Sequence, residues 1–429
     1  MYERYTGKVT PSDFLKGKDI VSLGTLVFKA VRGHETAEKK AGHISQIGKN
    51  SFAYAQVNND YSYTKISTES SYYEDFLPSA KGMRDYVTKH EDGYYKLAFG
   101  GYIAEENLDI TYGRTLLLNK LLTTAMQVYD ENPTNNDNNT TDLRFGVTEN
   151  VPVDVDFKDG FMRIIMYNTD QSIIPDFKVV PNPLVASVKG EKGTKAGVVI
   201  YKVKLKNDKN FYGFKIVYEN GMLIVKLNNP QKLYDSEHKP LYGKTILVDA
   251  GHGGNDSGAL GPGRYHEATL NLNIATRLAT RLRELGAEVI ESRTSDIAVS
   301  LYERMDLLTA VCPDLAVSIH HNSLPSSANA QKTRGFLGLY SNNSGVLLTE
   351  TITNVVCREL NRQNKGSNYQ QLAVARNHMF PSTLLEMSFI SNVEEYQWTI
   401  TDGNYDRSAK AVADGILEYF RVQEGYLDY

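Results

Sequence analysis

The stretch "TILVDAGHGGNDSGALG", Thr245 to Gly261, decides the fold of the last third of the chain. An apolar β-branched run, typical of a buried strand, ends at a glycine cluster, and the one bulky polar side chain in that cluster belongs to His252. Glycine lets the backbone turn sharply and lets another group approach closely. Ligands of open α/β sheets collect at the carboxyl ends of strands, so His252 stands where such a sheet would hold a site.

A helix is predicted to follow this loop, within "RYHEATLNLNIATRLATRLRELGAEV". Its apolar residues recur at intervals of four, at Leu270, Ile274, Leu278 and Leu282. Gly286 is suited to end the helix in the left-handed conformation, and Glu267 falls in the first turn. A glutamate there can simply stabilise the helix dipole, so on its own Glu267 indicates no site.

Two later strands also carry acid or base groups. "DLAVSIHHNS" ends in His320 and His321, and "STLLEMSFISN" places Glu386 in the middle of an apolar run. A histidine at a strand end is commonly structural, whereas a buried carboxylate is costly unless it is paired or binds a metal. Two histidines, one glutamate and a second, buried glutamate together match a catalytic zinc site, which uses three nitrogen or oxygen ligands and keeps a position open for water. No thiolate lies near these four segments, which argues against a structural zinc.

From about Lys244 to Phe420 the sequence resembles the zinc-dependent N-acetylmuramoyl-L-alanine amidases, which cut peptidoglycan. The segments that carry the resemblance are "VDAGHGGNDSGA", a helix-opening glutamate, "GAEVIESRTSD", "LYERMDLL", "DLAVSIHHNS", "TRGFLGLYSN" and "LLEMSFISNVEEY". The resemblance implies one Zn²⁺ ion bound by His252, Glu267 and His320, with Glu386 as the catalytic carboxylate. It also implies hydrolysis of the amide between N-acetylmuramic acid and L-alanine.

Four further residues are candidates for supporting or substrate contacts: His321, His266, Arg293 and His378. We expect Arg293 to support the fold by pairing with a carboxylate. The sequence departs from the family pattern at two positions, Ser388, where the pattern favours glycine, and His321, where it favours a small residue.

Three other functions are compatible with parts of the pattern. A nucleotide-binding domain would explain the glycine-rich turn, but the chain lacks G-x-G-x-x-G and G-K-[ST] motifs. A catalytically weak peptidoglycan-binding protein could retain the fold, and a zinc peptidase could act on another amide. The presence of all four chemical positions argues against a purely binding role.

The fold class predicted is multidomain, with a C-terminal α/β three-layer domain around a mostly parallel sheet, preceded by two smaller β-rich domains. Residues 1–130 form the first, tyrosine-rich domain, closed by a helix over "TLLLNKLLTTAMQVY". Residues 131–142 are a linker, residues 143–235 an antiparallel β domain, and residues 244–422 the amidase domain. Leu324 to Thr333 is too short for the long helical insertion that plugs the zinc cleft in some related enzymes, so we expect an open cleft.

The two leading domains carry no catalytic constellation, and their partners are less defined. Tyrosines can stack on sugar rings, so the first domain is a candidate wall-binding module, with a tyrosine-rich core as the alternative. Lys202, Lys204 and Lys206 share one strand face, which indicates either a solvated surface or attraction to anionic wall polymers.

The composition excludes several classes of protein. The 429 residues carry a net charge of -4, which gives no basic field for nucleic acid, and no apolar run could span a membrane. Two cysteines cannot form a disulfide scaffold. The segment Met1 to Phe14 has no signal-peptide core, which leaves either a cytosolic protein or one whose export signal has been removed. Since peptidoglycan lies outside the membrane, the resemblance implies a secreted, autolysin-type wall protein whose export signal this sequence does not include.

Overall fold

In a computed structural model of the chain, the described residues are 53–425, apart from 61, 66, 69–75, 115, 129–138, 208, 210, 234–238, 326–328 and 402. They form two compact units, one ending at Asn229 and the other running on from Pro230. A search of the described helices for an apolar stretch of membrane-spanning length finds no candidate.

The first unit begins with a seven-stranded antiparallel sheet in the order β3-β2-β6-β5-β4-β1-β7. Its strands are β1 (Ala53–Val57), β2 (Ser62–Lys65), β3 (Phe76–Ser79), β4 (Arg84–Glu91), β5 (Tyr94–Leu97), β6 (Tyr102–Ala104) and β7 (Leu108–Tyr112). Alternate residues of β1 are buried, and Val57, Leu97 and Ile103 meet in one apolar core. The described part of the predicted first domain, from Ala53 to Val128, is therefore rich in strands.

Two four-stranded antiparallel sheets complete this unit, in the orders β10-β11-β13-β12 and β14-β15-β9-β8. Their strands are β8 (Leu121–Val128), β9 (Thr140–Val147), β10 (Val153–Lys158), β11 (Phe161–Met166), β12 (Val185–Lys192), β13 (Val199–Leu205), β14 (Phe214–Glu219) and β15 (Met222–Asn228). Phe145 packs against Phe177 and Tyr201 in the core. Burial alternates along β13: Val199, Tyr201, Val203 and Leu205 are buried. Lys202 and Lys204 share the half-buried face with Ile200, as the alternation of the lysines predicted.

The helix predicted over residues 115–129 is wrong, because Leu121–Val128 form strand β8, which pairs with β9. Leucines recur there at helical spacing, but Leu117, Leu118 and Leu122 are exposed, so that spacing does not mark a buried helix face. Pairing with a neighbouring strand overrides the weak local preference for helix. Strands β8 and β9 therefore belong to one sheet, although they were predicted to lie in different domains. The end of the predicted linker, residues 140–142, is wrong because it forms the start of β9, and residues 131–138 of the linker lie outside the described residues.

The second unit is built on a six-stranded sheet in the order β17-β16-β18-β21-β19-β20. Its strands are β16 (Thr245–Ala250), β17 (Glu288–Glu291), β18 (Leu315–Asn322), β19 (Phe336–Tyr340), β20 (Asn364–Tyr369) and β21 (Ser382–Phe389). Its helices are α1 (Glu267–Glu284), α2 (Leu301–Val311), α3 (Gly345–Glu359), α4 (Val393–Ile400) and α5 (Asn404–Glu424). All neighbouring strands are parallel except β19 and β21, in agreement with the mostly parallel sheet predicted.

The sheet brings three chain segments to one edge. Because β16, β18 and β21 are adjacent and parallel, their carboxyl ends lie together. Helix α1 packs on β16 and β18 through a stripe of fully buried residues that includes Leu270, Ile274 and Leu278. This packing fixes the start of α1, and therefore Glu267, beside the same edge.

Candidate active site

The glycine-rich loop after β16 holds His252 in an unusual backbone conformation. His252 has a φ of 61°, in the left-handed region that non-glycine residues rarely adopt. A Cβ atom added to Gly251 would lie 2.2 Å from the His320 ring, and one added to Gly258 would lie 2.6 Å from both His252 Cδ2 and Glu267 Oε2. Glycine is required at Gly251 and Gly258 because the side chains of His252, Glu267 and His320 occupy the space that a larger residue would need.

His252, Glu267 and His320 form one compact group. One potential ligand atom from each lies within 4.8 Å of the other two. His252 Nε2 is 3.3 Å from Glu267 Oε2, and His320 Nδ1 is 3.0 Å from Glu267 Oε1. The Glu267 side chain is 5% exposed, whereas the His252 side chain is 26% exposed, so the group has a buried base and a side open to solvent.

Hydrogen bonds keep the Glu267 carboxylate ionised. Its Oε2 accepts from the backbone N–H of Ala259 at 2.8 Å, and its Oε1 accepts from the backbone N–H of His321 at 3.0 Å. Burial opposes ionisation, but the bonds to His252 and His320 outweigh it and hold the pKa of Glu267 well below its usual range. Burial likewise opposes the charged form of His252, yet its bonds to Glu267 and Asp256 raise its pKa to about 9.

Glu386 lies beside this group on the next strand. It is in direct register with His320 across the β18–β21 pair. Burial, and to a lesser degree the negative charge of Glu267, raise the pKa of Glu386 to about 8. Its buried Oε2 has no hydrogen-bond partner among the described residues, which leaves an acceptor aimed at no protein group.

Comparison with known proteins places this domain in a family. A family model described as N-acetylmuramoyl-L-alanine amidase matches residues 246–418. The germination-specific N-acetylmuramoyl-L-alanine amidase of Bacillus subtilis is 32% identical over 196 residues, which are 42% of this chain and 81% of that protein. The chain belongs to the N-acetylmuramoyl-L-alanine amidase family. The family resemblance of the sequence is thereby confirmed.

Other amidases match the same domain. The amidase LytC of Bacillus subtilis is 31% identical over 218 residues, a match that spans 51% of this chain but 42% of LytC. The crystal structure of an N-acetylmuramoyl-L-alanine amidase from Clostridium difficile 630 is 30% identical, with 42% of this chain and 97% of that chain covered and a TM-score of 0.40.

The three other predicted histidines do not belong to the compact group of the amidase domain. His266 precedes α1 and is exposed. His321 is buried, and burial lowers its pKa to about 3. His378 is buried in the chain segment that connects β20 to β21, and burial also lowers its pKa to about 3. Ser388, where the sequence departs from the family pattern, is buried with its hydroxyl 3.2 Å from that of Thr399.

Two buried arginines hold the loop that carries His252. Arg293 donates to backbone carbonyls rather than pairing with a carboxylate as predicted; its acceptors are Ala250, Gly251, Ala268 and Ser295. Arg304 on α2 donates to the carbonyls of Ala250 and His252 and forms a buried ion pair with Asp249. The backbone carbonyls of Ala250, Gly251 and His252 therefore all accept hydrogen bonds from buried arginines. These bonds fix the loop although its glycines have no side chains to pack.

Sequence reasoning missed three supporting residues. Asp256 accepts from His252 Nδ1 at 2.8 Å, Arg304 supports the loop, and Asn271 contacts Glu267. The position of Asp256, four residues after His252, could have indicated this hydrogen bond from the sequence. Arg304 lies within "LYERMDLL", whose role in the family pattern the sequence alone did not explain.

Proposed function

We propose that this chain is a zinc-dependent hydrolase that cleaves the amide bond between N-acetylmuramic acid and L-alanine in peptidoglycan. The observation that carries the proposal is the group of His252, Glu267 and His320, whose ligand atoms lie within 4.8 Å of one another. Two imidazoles and one carboxylate are a donor set that suits a catalytic zinc. Glu386 Oε2 is buried and has no hydrogen-bond partner among the described residues, so it is free to accept a proton from a water molecule at this site.

In this proposal His252, Glu267 and His320 bind one ion. Zinc bound there would lower the pKa of a water molecule to about 7 and polarise the amide carbonyl. His252 Nδ1 donates to Asp256, and the backbone N–H groups of Ala259 and His321 donate to Glu267, so these candidate ligands are oriented before the ion binds.

Glu386 moves the proton. Its carboxyl group takes a proton from the attacking water and returns it to the nitrogen of the leaving alanine. A raised pKa suits the second step, because a carboxyl that binds its proton near neutral pH can act as an acid there. A cation in the neighbouring site favours the ionised form that the first step needs.

The same function implies a location and a role for the leading unit. Peptidoglycan lies outside the membrane, so we propose an extracellular, wall-associated autolysin. The leading sheets would hold the enzyme on the wall, through tyrosines or through the lysines of β13. The lysines of β13 already have protein partners: Lys202 pairs with Glu191, and Lys204 donates to the Gly160 carbonyl. Lys206, directly after β13, donates to the Asn182 carbonyl. Retention of the full chain by sacculi with and without anionic polymers would test this role.

Digestion of purified peptidoglycan tests the main proposal. Wild-type protein loaded with zinc should release stem peptides with new N-terminal L-alanine amines. Chelation should stop the release, and Glu386→Gln should lower the rate roughly 10²- to 10⁴-fold while zinc content stays the same. New amines on other residues would favour a peptidase instead. Binding to sacculi without any new amine would favour the catalytically weak binding protein.

A further inference from the structure

Asn271 lies one helical turn after Glu267 on α1 and is completely buried. Its side-chain amide Nδ2 donates to Glu267 Oε1 at 3.2 Å and to the backbone carbonyl of Gly251 at 3.1 Å. Its Oδ1 faces His321 Nδ1 at 2.8 Å. One side chain therefore joins three separate parts of the site: the start of α1, the glycine loop and strand β18.

The direction of these hydrogen bonds follows from the donors and acceptors. The Glu267 carboxylate and the Gly251 carbonyl can only accept, so the NH₂ group of Asn271 must face them and its oxygen must face His321. His321 Nδ1 must then carry the proton and donate it to Asn271. The backbone N–H of His321 donates to the same Glu267 Oε1, at 3.0 Å. His321 supports the carboxylate twice, once directly and once through Asn271.

His320 and His321 are consecutive residues of β18, at the point where its pairing with β21 becomes irregular. His320 Nδ1 contacts Glu267, whereas His321 Nδ1 contacts Asn271, one turn further along α1. The buried Nε2 of His321 has no hydrogen-bond partner in the described part of the chain. A buried polar atom without a partner destabilises the fold, so a leucine-like residue would fill this core position at lower cost.

We propose that Asn271 and His321 are positioning residues that fix the Glu267 carboxylate in the orientation required for metal binding. The inference rests on the proposed function, because it assumes that Glu267 is a zinc ligand. Groups that hydrogen-bond metal ligands typically change metal affinity roughly 10- to 100-fold when removed. Losing either residue should therefore weaken zinc binding, in addition to any loss of stability from buried groups left without partners.

Zinc affinity of the purified full chain, measured by competition with a chromophoric chelator, tests the inference. Asn271→Leu and His321→Leu should each weaken zinc binding roughly 10- to 100-fold. His321→Asn should restore most of the affinity, because its amide NH₂ can stand where His321 Nδ1 donates. Asn273→Leu is the matched control, since Asn273 lies on the same helix but donates to the Thr269 carbonyl of its own helix.

The thermal midpoint of each zinc-free variant separates positioning from general stability. A lower midpoint with wild-type zinc affinity in Asn271→Leu and His321→Leu would overturn the inference. If Asn271→Leu does not fold, the test depends on His321→Leu and His321→Asn. Equal zinc affinities of these two variants would overturn the inference. Wild-type protein that binds no zinc would overturn the proposed function itself. Tight zinc binding of equal affinity in the wild type and the variants would overturn only the roles of Asn271 and His321.

Discussion

His320 on β18 and Glu386 on β21 are direct partners across a parallel strand pair. The candidate metal ligand and the candidate catalytic carboxylate therefore stand on neighbouring strands of one sheet rather than on loops. The register of the pair becomes irregular immediately after His320, which is a common feature of strands next to active sites. Their separation is set by backbone hydrogen bonds, so the site depends on the sheet for its geometry.

Glu386 should make the metal-free protein less stable as the pH rises. Its pKa is raised from 4.5 to about 8 in the folded state, so between these values the unfolded chain loses its proton first. The free energy of unfolding should therefore fall between about pH 4.5 and pH 8 and level off above that. Glu386→Gln, which does not titrate, should lack this contribution and be the more stable protein at pH 9.

Urea unfolding of the chelated protein at several pH values measures this effect. Glu284→Gln is a suitable control, because Glu284 is an exposed residue of α1 that pairs with Arg281. Parallel pH profiles for wild type and Glu386→Gln would show that Glu386 is not a buried, protonated carboxyl.

Zinc binding should release a proton from His252. In the metal-free protein its pKa is about 9, because Glu267 and Asp256 favour the charged form against the effect of burial. A metal needs the neutral imidazole, so zinc affinity should increase with pH up to about 9. Calorimetry at pH 7 in buffers of different ionisation enthalpy should report about one proton released from this histidine.

Asp256→Asn provides the comparison for that measurement. It removes one of the two carboxylates that raise the pKa of His252, so less proton release is expected at pH 8. Binding heats that do not depend on the buffer would contradict the assignment of His252 as a protonated group that must be neutralised.

The sequence singled out His252, Glu267, His320 and Glu386 only in combination, because each of them alone has an ordinary structural explanation. The structure brings His252, Glu267 and His320 within 4.8 Å of one another. Their roles as metal ligands, and that of Glu386 as catalytic carboxylate, stay predictions. The parallel sheet that brings them together follows from alternating strands and helices.

The remaining errors concern interactions between distant segments. The stretch Leu121–Val128 has apolar residues at helical spacing, and only its pairing with β9 makes it a strand. Asn271 reads as one more polar residue of an amphipathic helix until the structure places it between Glu267 and His321. Such roles depend on contacts that no local pattern encodes.

Loss of Arg304 should destabilise the amidase domain strongly. Arg304 and Asp249 form a buried ion pair, and removing one partner of such a pair typically costs about 3–5 kcal/mol. Arg304→Met should lower the free energy of unfolding by about that amount and weaken zinc binding, because the His252 carbonyl loses its donor. Arg334→Met, which removes an exposed pair with Glu394, should change stability by less than about 1 kcal/mol. Similar effects for both variants in urea unfolding would show that the buried pair has no special role.

Gly251→Ala tests why a histidine stands in a cluster of glycines. The added Cβ would lie 2.2 Å from Cε1 and Nε2 of the His320 ring, so the ring must move. Overpacking of this kind typically costs about 1–3 kcal/mol of stability. Because the displaced ring is a candidate ligand, zinc affinity should fall at least about tenfold as well. Gly261→Ala is the matched control: it lies in the same loop, has a φ of -81° that alanine tolerates, and its Cβ would come no closer than 3.3 Å to Tyr396. Wild-type zinc affinity in Gly251→Ala would mean that His320 can leave its place without loss, and therefore that it is not a ligand.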